Sequence, residues 1–294
     1  TAQHSIAGNG MPALIDKVMS VHSKKLARST LSRYQWIASR LKNILAEFEP
    51  HQIKPKHIAA IKLNLSETPS QGNYFLAVLS VIFSYALEWG LVESNPCIGI
   101  RKYKEKPRTR YIRHDEFNAL LAQLSEPMQN LFTLVYLTGQ RISDVLRLNQ
   151  SDISEAGIAF VQQKTGAKLI VALTDDIASV LNTIKASPSG WLFHSPYKDM
   201  PLPYKAAYCA FNKAREAAHI KDVTIHDLRA KSLTDANAEG KDAQKLGGHA
   251  SAQMTQRYLR DRKPTQANAP TLPKNNPSIR QQAESIRQIK KKAL

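Results

Sequence analysis

The feature that most constrains this chain is a basic interruption near its first third. Residues 100–113 hold Arg101, Lys102, Lys104, Lys106, Arg108, Arg110 and Arg113 around Pro107. A charge run of this kind reads as a solvated connector rather than as part of a core. The chain therefore divides into two domains, and 294 residues with 43% hydrophobic content supply enough chain for two cores.

Residues 11–99 read as all-helical. Leu14, Ile15, Val18 and Met19 share one face of a first helix over residues 11–22. A second helix, capped by Ser29 or Thr30, runs to about Phe48 with Leu31, Tyr34, Ile37, Leu41, Ile44 and Leu45 at helical spacing. Pro55 and Lys56 open a short helix around residues 57–61. The longest apolar run, residues 71–89, carries Tyr74, Phe75, Val78, Leu79, Ile82, Phe83, Ala86 and Leu87. Gly90 ends it, and Asn95-Pro96 closes the domain. Its aromatic residues read as core ahead of base-stacking groups. Residues 1–10 carry no pattern and read as a flexible lead-in, or as what trimming left of a longer protein.

Residues 114–262 form the second domain. His114-Asp115-Glu116-Phe117 starts a helix with Phe117, Leu120, Leu121 and Leu124 on its apolar face. Residues 128–137 are apolar enough to be buried. Gly139 breaks that run, and a new helix is expected from Gln140 to Leu148. Residues 158–161 and 169–173 flank Lys164-Thr165-Gly166 and predict a β-hairpin. Helices follow near residues 175–184, 204–218 and 227–239. The fold class is thus mainly α with a small β-hairpin, α+β. The tail, residues 263–294, has Pro264, Pro270, Pro273 and Pro277, then Ile279, Ala283, Ile286 and Ile289 at helical spacing before Lys290-Lys291-Lys292. It reads as a short helix that docks on a neighbouring protomer, or as a disordered basic tail.

Charge narrows the partner. Lys and Arg number 41 against 24 Asp and Glu, a net +17. Such an excess favours a polyanion, because each phosphate neutralised releases a condensed counterion. Nucleic acid is the leading reading; an anionic membrane is weaker, since no basic amphipathic helix with a large apolar face dominates. No apolar run of 18 residues and no secretory signal are present, so a cytoplasmic protein is expected. Cys97 and Cys209 stand far apart, outside metal-ligand spacing, and read as reduced thiols. No metal and no cofactor are expected.

The second domain offers, in order, Arg141, Lys164, His226, Arg229, His249 and Tyr258. Thr138-Gly139-Gln140-Arg141 carries the first, and Lys164 sits at the hairpin turn. His226-Asp227-Leu228-Arg229 supplies a His-x-x-Arg pair. Gly248-His249 precedes Tyr258 by nine positions, with Thr255 and Arg257 between. This ordered set resembles the tyrosine recombinase (phage integrase) family. The resemblance covers about residues 11–262, and its specificity lies in residues 138–258. It implies a helical core-binding domain joined to a catalytic domain. Gly247 departs from the family's usual Leu-Gly-His, with Leu246 one place early, and is expected to loosen the turn that places His249.

The resemblance also implies the chemistry. Tyr258 is the nucleophile toward a DNA phosphate, leaving a 3′-phosphotyrosine. Arg141 and Arg229 suit the non-bridging oxygens because guanidinium is always charged and presents forked donors. His249 adds a hydrogen bond there, and Asp144 supports the site. A phenol ionises near pH 10 in water, so His226 is the candidate base. Lys164 gives the leaving 5′ oxygen its proton. A 5′-OH from another strand can re-attack without ATP, which implies double-stranded DNA with an inverted-repeat core site, a homo-tetramer, and accessory DNA-bending proteins as further partners. Lys24, Lys25, Arg28, Arg33, Arg101, Lys104, Lys106, Arg108 and Arg110 are the candidate DNA contacts.

Each residue has a plainer reading. Arg141 could pair with Asp144, Lys164 could be a turn lysine, His226 and Arg229 a helix-start charge pair, His249 a core histidine and Tyr258 buried filler. An integrase of a phage or mobile element is the first reading. A chromosome-dimer-resolving recombinase, a type IB topoisomerase-like enzyme and a catalytically silent DNA-binding protein are the alternatives.

Overall fold

The computed structural model describes residues 10–260. The lead-in over residues 1–9 and the tail helix expected within residues 263–294 lie outside the described residues. The chain divides into two compact units between Pro107 and Arg108, inside the basic stretch.

The first unit is four helices: α1 (Met11–His22), α2 (Arg28–Ile44), α3 (Pro55–Leu63) and α4 (Pro69–Glu88). Three of them carry proline in the first turn, where its missing N–H would have had no partner in any case. Leu14, Ile15, Val18, Ile37, Leu41, Ile58, Phe75, Leu79, Ile82 and Phe83 form one core. Helix α2 begins before Ser29, because Ala27 takes the extended cap position and its carbonyl receives the Leu31 N–H at 2.9 Å. It also ends early. Beyond Ile44 the chain turns so that the Phe48 carbonyl accepts the Met11 N–H at 2.8 Å, which ties the end of α2 to the start of α1. Asn95 is buried and fully used: it donates to the Ser80 carbonyl and Ser84 Oγ and accepts the Cys97 N–H. Burial pushes the Cys97 thiol up to about 12, so it stays protonated, while Cys209 is exposed.

The basic stretch is exposed along most of its length, as a solvated connector would be, but it is anchored at Tyr103. Asn73 of α4 pairs with the backbone of Tyr103 in both directions, at 2.7 and 2.9 Å, and the Tyr103 hydroxyl donates to the Lys62 carbonyl.

The second unit contains α5 (His114–Ala122), α6 (Glu126–Thr138), α7 (Ile142–Val145), β1 (Ile153–Ser154), β2 (Gly157–Val161), β3 (Lys168–Val171), α8 (Asp175–Thr183), α9 (Tyr204–Ala217), α10 (Ile225–Ala238), α11 (Ala243–Gly247) and α12 (Ala252–Gln256). The strands are antiparallel in the order β1-β2-β3, with Ile158 opposite Val171 and Phe160 opposite Leu169. The hairpin falls where the sequence places it. Strand β1 is an addition, two residues being too short to show a period. Helix α7 is one turn, not the nine-residue helix expected, since the chain leaves it at Leu146 for a turn around Asn149.

Helix α10 is the axis of this unit and is buried on nearly every side. It starts at Ile225 rather than Asp227 because Thr224 and Asp227 form a capping box: the Asp227 carboxylate accepts the Thr224 N–H at 3.0 Å. Deeper along it, buried Lys231 donates to the Tyr111 hydroxyl at 3.1 Å and to Asp235 at 3.0 Å. Asp235 also accepts from Tyr111 at 2.5 Å and Tyr136 at 2.9 Å. Among the described residues no helix is long and apolar enough to cross a membrane.

Candidate active site

His226 and Arg229 lie one turn apart near the start of α10, on the same side of the helix. Arg229 is 1% exposed. Its Nη1 donates to the Gly139 carbonyl at 2.8 Å. Its Nη2 donates to the Gly247 carbonyl at 2.6 Å and to His249 Nε2 at 3.0 Å. Its Nε has no hydrogen-bond partner among the described residues. Burial first, and Arg141 second, hold the guanidinium down to about 10, still charged at neutral pH. Gly139 is the left-handed C-cap of α6, at φ 65°, and a Cβ there would lie 3.0 Å from Ser232 Oγ. The glycine thus turns the chain out of α6 and lets it approach α10, where its carbonyl meets Arg229.

His249 is buried and pinned at both ring nitrogens. Arginine can only donate, so Nε2 accepts from Arg229 and the single proton of the neutral ring sits on Nδ1, facing Thr255 Oγ1 at 3.0 Å. Burial, then Arg229 and Arg141, push the ring down to about 4. Tyr258 closes the cluster. Its ring stacks on His249 at 4.9 Å and 23°, lies 5.3 Å from the His226 ring, and has the Arg229 guanidinium 5.2 Å from its centre. The segment is anchored from α10: Thr234 Oγ1, whose proton goes to the Ala230 carbonyl at 2.7 Å, accepts the Arg260 N–H at 3.0 Å. His226 keeps an exposed edge. Partial burial, and next the Arg229 charge, lower its pKa from the ordinary imidazole value, so it is neutral and able to take a proton.

Arg141 caps α7 and donates from Nη1 to Gln162 Oε1 at 2.9 Å, with Asp144 Oδ2 3.9 Å away. Asp144 is buried, and its Oδ1 accepts the Gln163 N–H at 3.1 Å, which fixes the base of the β2–β3 loop. Lys164 stands on that loop, exposed and with no partner among the described residues. Five of the six predicted groups are therefore gathered or linked by contacts, and Lys164 is joined to them only through its loop.

Gly247 does not loosen its turn. A Cβ there would lie 2.8 Å from the His249 ring, which folds back over the glycine. The turn is held by the Gly248 and His249 N–H groups on the Lys245 and Gln244 carbonyls. Gln140 donates to the Leu246 carbonyl at 2.7 Å, and Gln162 donates to that of Gly247 at 3.0 Å. Gln162 escaped the sequence reading, and Gln140, Asp227 and Thr255 entered it only as neighbours within the motifs, with no role. One signal was available: Gln162 continues the inward alternation of Ile158 and Phe160, so it must point inward too.

Among the candidate DNA contacts, Lys24, Lys25, Arg28, Arg33, Arg101, Lys104 and Lys106 are exposed. Arg33 stacks over Tyr74 at 4.1 Å, and Lys25 reaches the Tyr85 hydroxyl. Arg108 and Arg110 spend their charge internally, Arg108 on Asp222 and buried Asp227, Arg110 on Glu116.

The phage integrase family matches residues 110–264, more than half of the chain. The chain belongs to that family. Its activity is that of a site-specific recombinase. The integrase of Escherichia phage HK022 is 29% identical over 290 residues, covering 86% of this chain and 80% of the relative. Two solved structures share the fold. A lambda integrase dimer bound to a COC′ core site has a TM-score of 0.78 at 22% identity, over 90% of this chain and 81% of that one. A lambda integrase tetramer bound to a Holliday junction has a TM-score of 0.75 at 22% identity, over 83% and 78%.

Proposed function

We propose that this integrase-family chain cuts and rejoins double-stranded DNA through Tyr258 and serves the integration and excision of a phage or other mobile element. The observation that carries this reading is the gathering of a phenol, two imidazoles and a buried guanidinium into one cluster of one chain. Tyr258 Oη attacks the phosphorus and gives its proton to His226. The bond from phosphorus to the 5′ oxygen breaks, Lys164 protonates that oxygen, and the 3′ phosphate remains on the tyrosine. A 5′-OH of the partner strand reverses the step, so no ATP is consumed. Arg141 and Arg229 neutralise the charge that builds on the non-bridging oxygens, a service worth about 3–4 kcal/mol per preorganised donor. The mechanism draws on no metal.

The histidine needs one rearrangement. As it stands, His249 has no N–H free for a phosphate. When the one Arg229 Nη2 proton that His249 accepts passes to a phosphate oxygen, the guanidinium staying on its two carbonyls, Nε2 is released and the ring proton can move there. The Thr255 hydroxyl, which both donates and accepts, then donates to Nδ1, so the exchange strands no partner. Exchange between two duplexes needs four cuts and hence four copies, in keeping with the lambda integrase tetramer. The exposed cations of the first unit supply the phosphate grip, and accessory DNA-bending proteins fit a reaction that must bring two sites together.

Incubation with nicked duplexes of random core sequence in EDTA, followed by denaturation, tests the chemistry. Wild type should retain covalently attached DNA, and Tyr258→Phe should bind DNA equally well and retain none. An adduct that survives in Tyr258→Phe removes the nucleophile from that residue.

A further inference from the structure

Gln162 stands outside the six groups, yet it bonds Arg141, the loop that carries Lys164 and the turn that carries His249. It lies directly after β2, is fully buried, and uses every hydrogen-bonding position of its amide. Oε1 accepts from Arg141 Nη1 at 2.9 Å and from Thr165 Oγ1 at 2.9 Å. Nε2 donates to Gln140 Oε1 at 2.8 Å and to the Gly247 carbonyl at 3.0 Å. That same carbonyl receives Arg229. The Gln162 backbone closes the loop carrying Lys164, since its carbonyl accepts the Gly166 N–H at 2.8 Å and its N–H donates to the Ala167 carbonyl at 2.9 Å. On the opposite side a Cβ at Gly248 would lie 2.7 Å from Nε2, so the glycine before His249 is shaped around this amide.

We propose that Gln162 is a positioning residue for strand cleavage: one buried amide sets Arg141, the Lys164 loop and the Gly247–His249 turn in a single register. The proposal rests on the recombinase reading of the site. Its physical basis is the accounting of a buried amide, which must satisfy four positions and is thereby fixed in orientation. Fixing it fixes whatever it holds. Arg141 can present its remaining donors to a phosphate only along the direction that its Nη1 bond leaves open. Lys164, exposed and without a partner of its own, depends for its reach on Thr165 next to it.

Two variants separate positioning from mere stability. Gln162→Met keeps length and volume and removes all four bonds. Thr165→Val, on the exposed loop, removes the bond to Gln162 and the Ala167 N–H bond to the same hydroxyl, both within the Lys164 loop, and leaves Arg141 bonded. Both are assayed as full chains on ordinary nicked duplex and on duplex with sulfur as the 5′ leaving atom, which departs without a proton. Gln162→Met should bind DNA as wild type does and form adduct about 100-fold more slowly on ordinary DNA, the scale of a misplaced reacting group. Sulfur should restore part of that loss, the remainder reporting Arg141. Thr165→Val should show a smaller loss, about 10-fold, that sulfur abolishes. A melting temperature taken for each variant shows the folded fraction. Equal slowing on both substrates by both variants, or cleavage at the wild-type rate by folded Gln162→Met, overturns the proposal and leaves the recombinase reading intact. A wild-type chain that forms no adduct overturns both.

Discussion

The two units bury different chemistry. Among the described residues, the helical unit hides one polar side chain, Asn95. The second unit hides Thr138, Gln140, Asp144, Gln162, Ser187, Asp227, Arg229, Lys231, Ser232, Thr234, His249 and Thr255. A buried polar group costs stability unless it is bonded, and a buried charge costs more. The first unit avoids that cost and places its cations outside, where Arg33, Lys24 and Lys25 can meet a polyanion. The second unit accepts it, and the return is orientation. Arg229 is fixed by two carbonyls and an imidazole, His249 by a guanidinium and a hydroxyl, and Arg141 by an amide.

Two lysines of the second unit put this contrast to the test. Lys164 is exposed and unbonded; Lys231 is buried and bonded on all sides. Lys164→Ala should leave the melting temperature unchanged and slow cleavage of ordinary DNA by about 100- to 10,000-fold, the usual worth of a positioned acid. A 5′-sulfur leaving group should remove most of that loss. Equal slowing on both substrates would take Lys164 out of the acid role.

Lys231→Met should do the reverse. It leaves the half-buried Asp235 with two phenol donors and only the exposed His114 ring, 3.9 Å away, in place of the ammonium, a loss of up to about 3–5 kcal/mol. The unfolding transition of the second unit should fall and that of the first should not. Leu79→Ala, in the core of the first unit, should give the mirror image at about 2–5 kcal/mol. If either variant lowers both transitions together, the two units do not unfold independently and the contrast drawn between their interiors loses its energetic meaning.

How far the sequence could be read follows the same division. The four helices of the first unit were legible because apolar periodicity is all that holds them. The six catalytic candidates were legible because each must be one residue type for its chemistry, in one order. Their supports were not. Gln140 and Gln162 look like ordinary surface glutamines until the strand register turns Gln162 inward, and Asp227 is only a spacer within His-x-x-Arg until Thr224 is seen to cap the helix with it. Arg108 and Arg110 resembled phosphate contacts. Nothing in a linear sequence shows that Asp222 and Asp227, more than a hundred positions away, hold Arg108. Gly247 misled in the opposite direction, because a missing leucine reads as looseness until the His249 ring is seen to need the space.

The smallest effect concerns acid. His249 is held neutral, at about 4 against an ordinary 6.5, and His226 is lowered in the same direction. Both rings are proton-poor in the folded chain and take up protons once unfolded. Stability from this source is complete above pH 6.5 and drains away as pH falls toward 4, by about 3 kcal/mol or less for His249. The window from pH 6.5 to 4.5 isolates the histidines, since Glu116, Asp115, Asp199 and Asp242 are held below the ordinary carboxylate range and lose their contribution further down. His249→Gln offers Arg229 an amide oxygen that does not titrate. Thermal unfolding across that window should therefore slope less for His249→Gln than for wild type, and only in the transition of the second unit. Parallel slopes would mean that His249 is protonated in the folded chain, bonded to something other than Arg229. The ring would then face a phosphate with its proton already in place, and the exchange with Thr255 would be unnecessary.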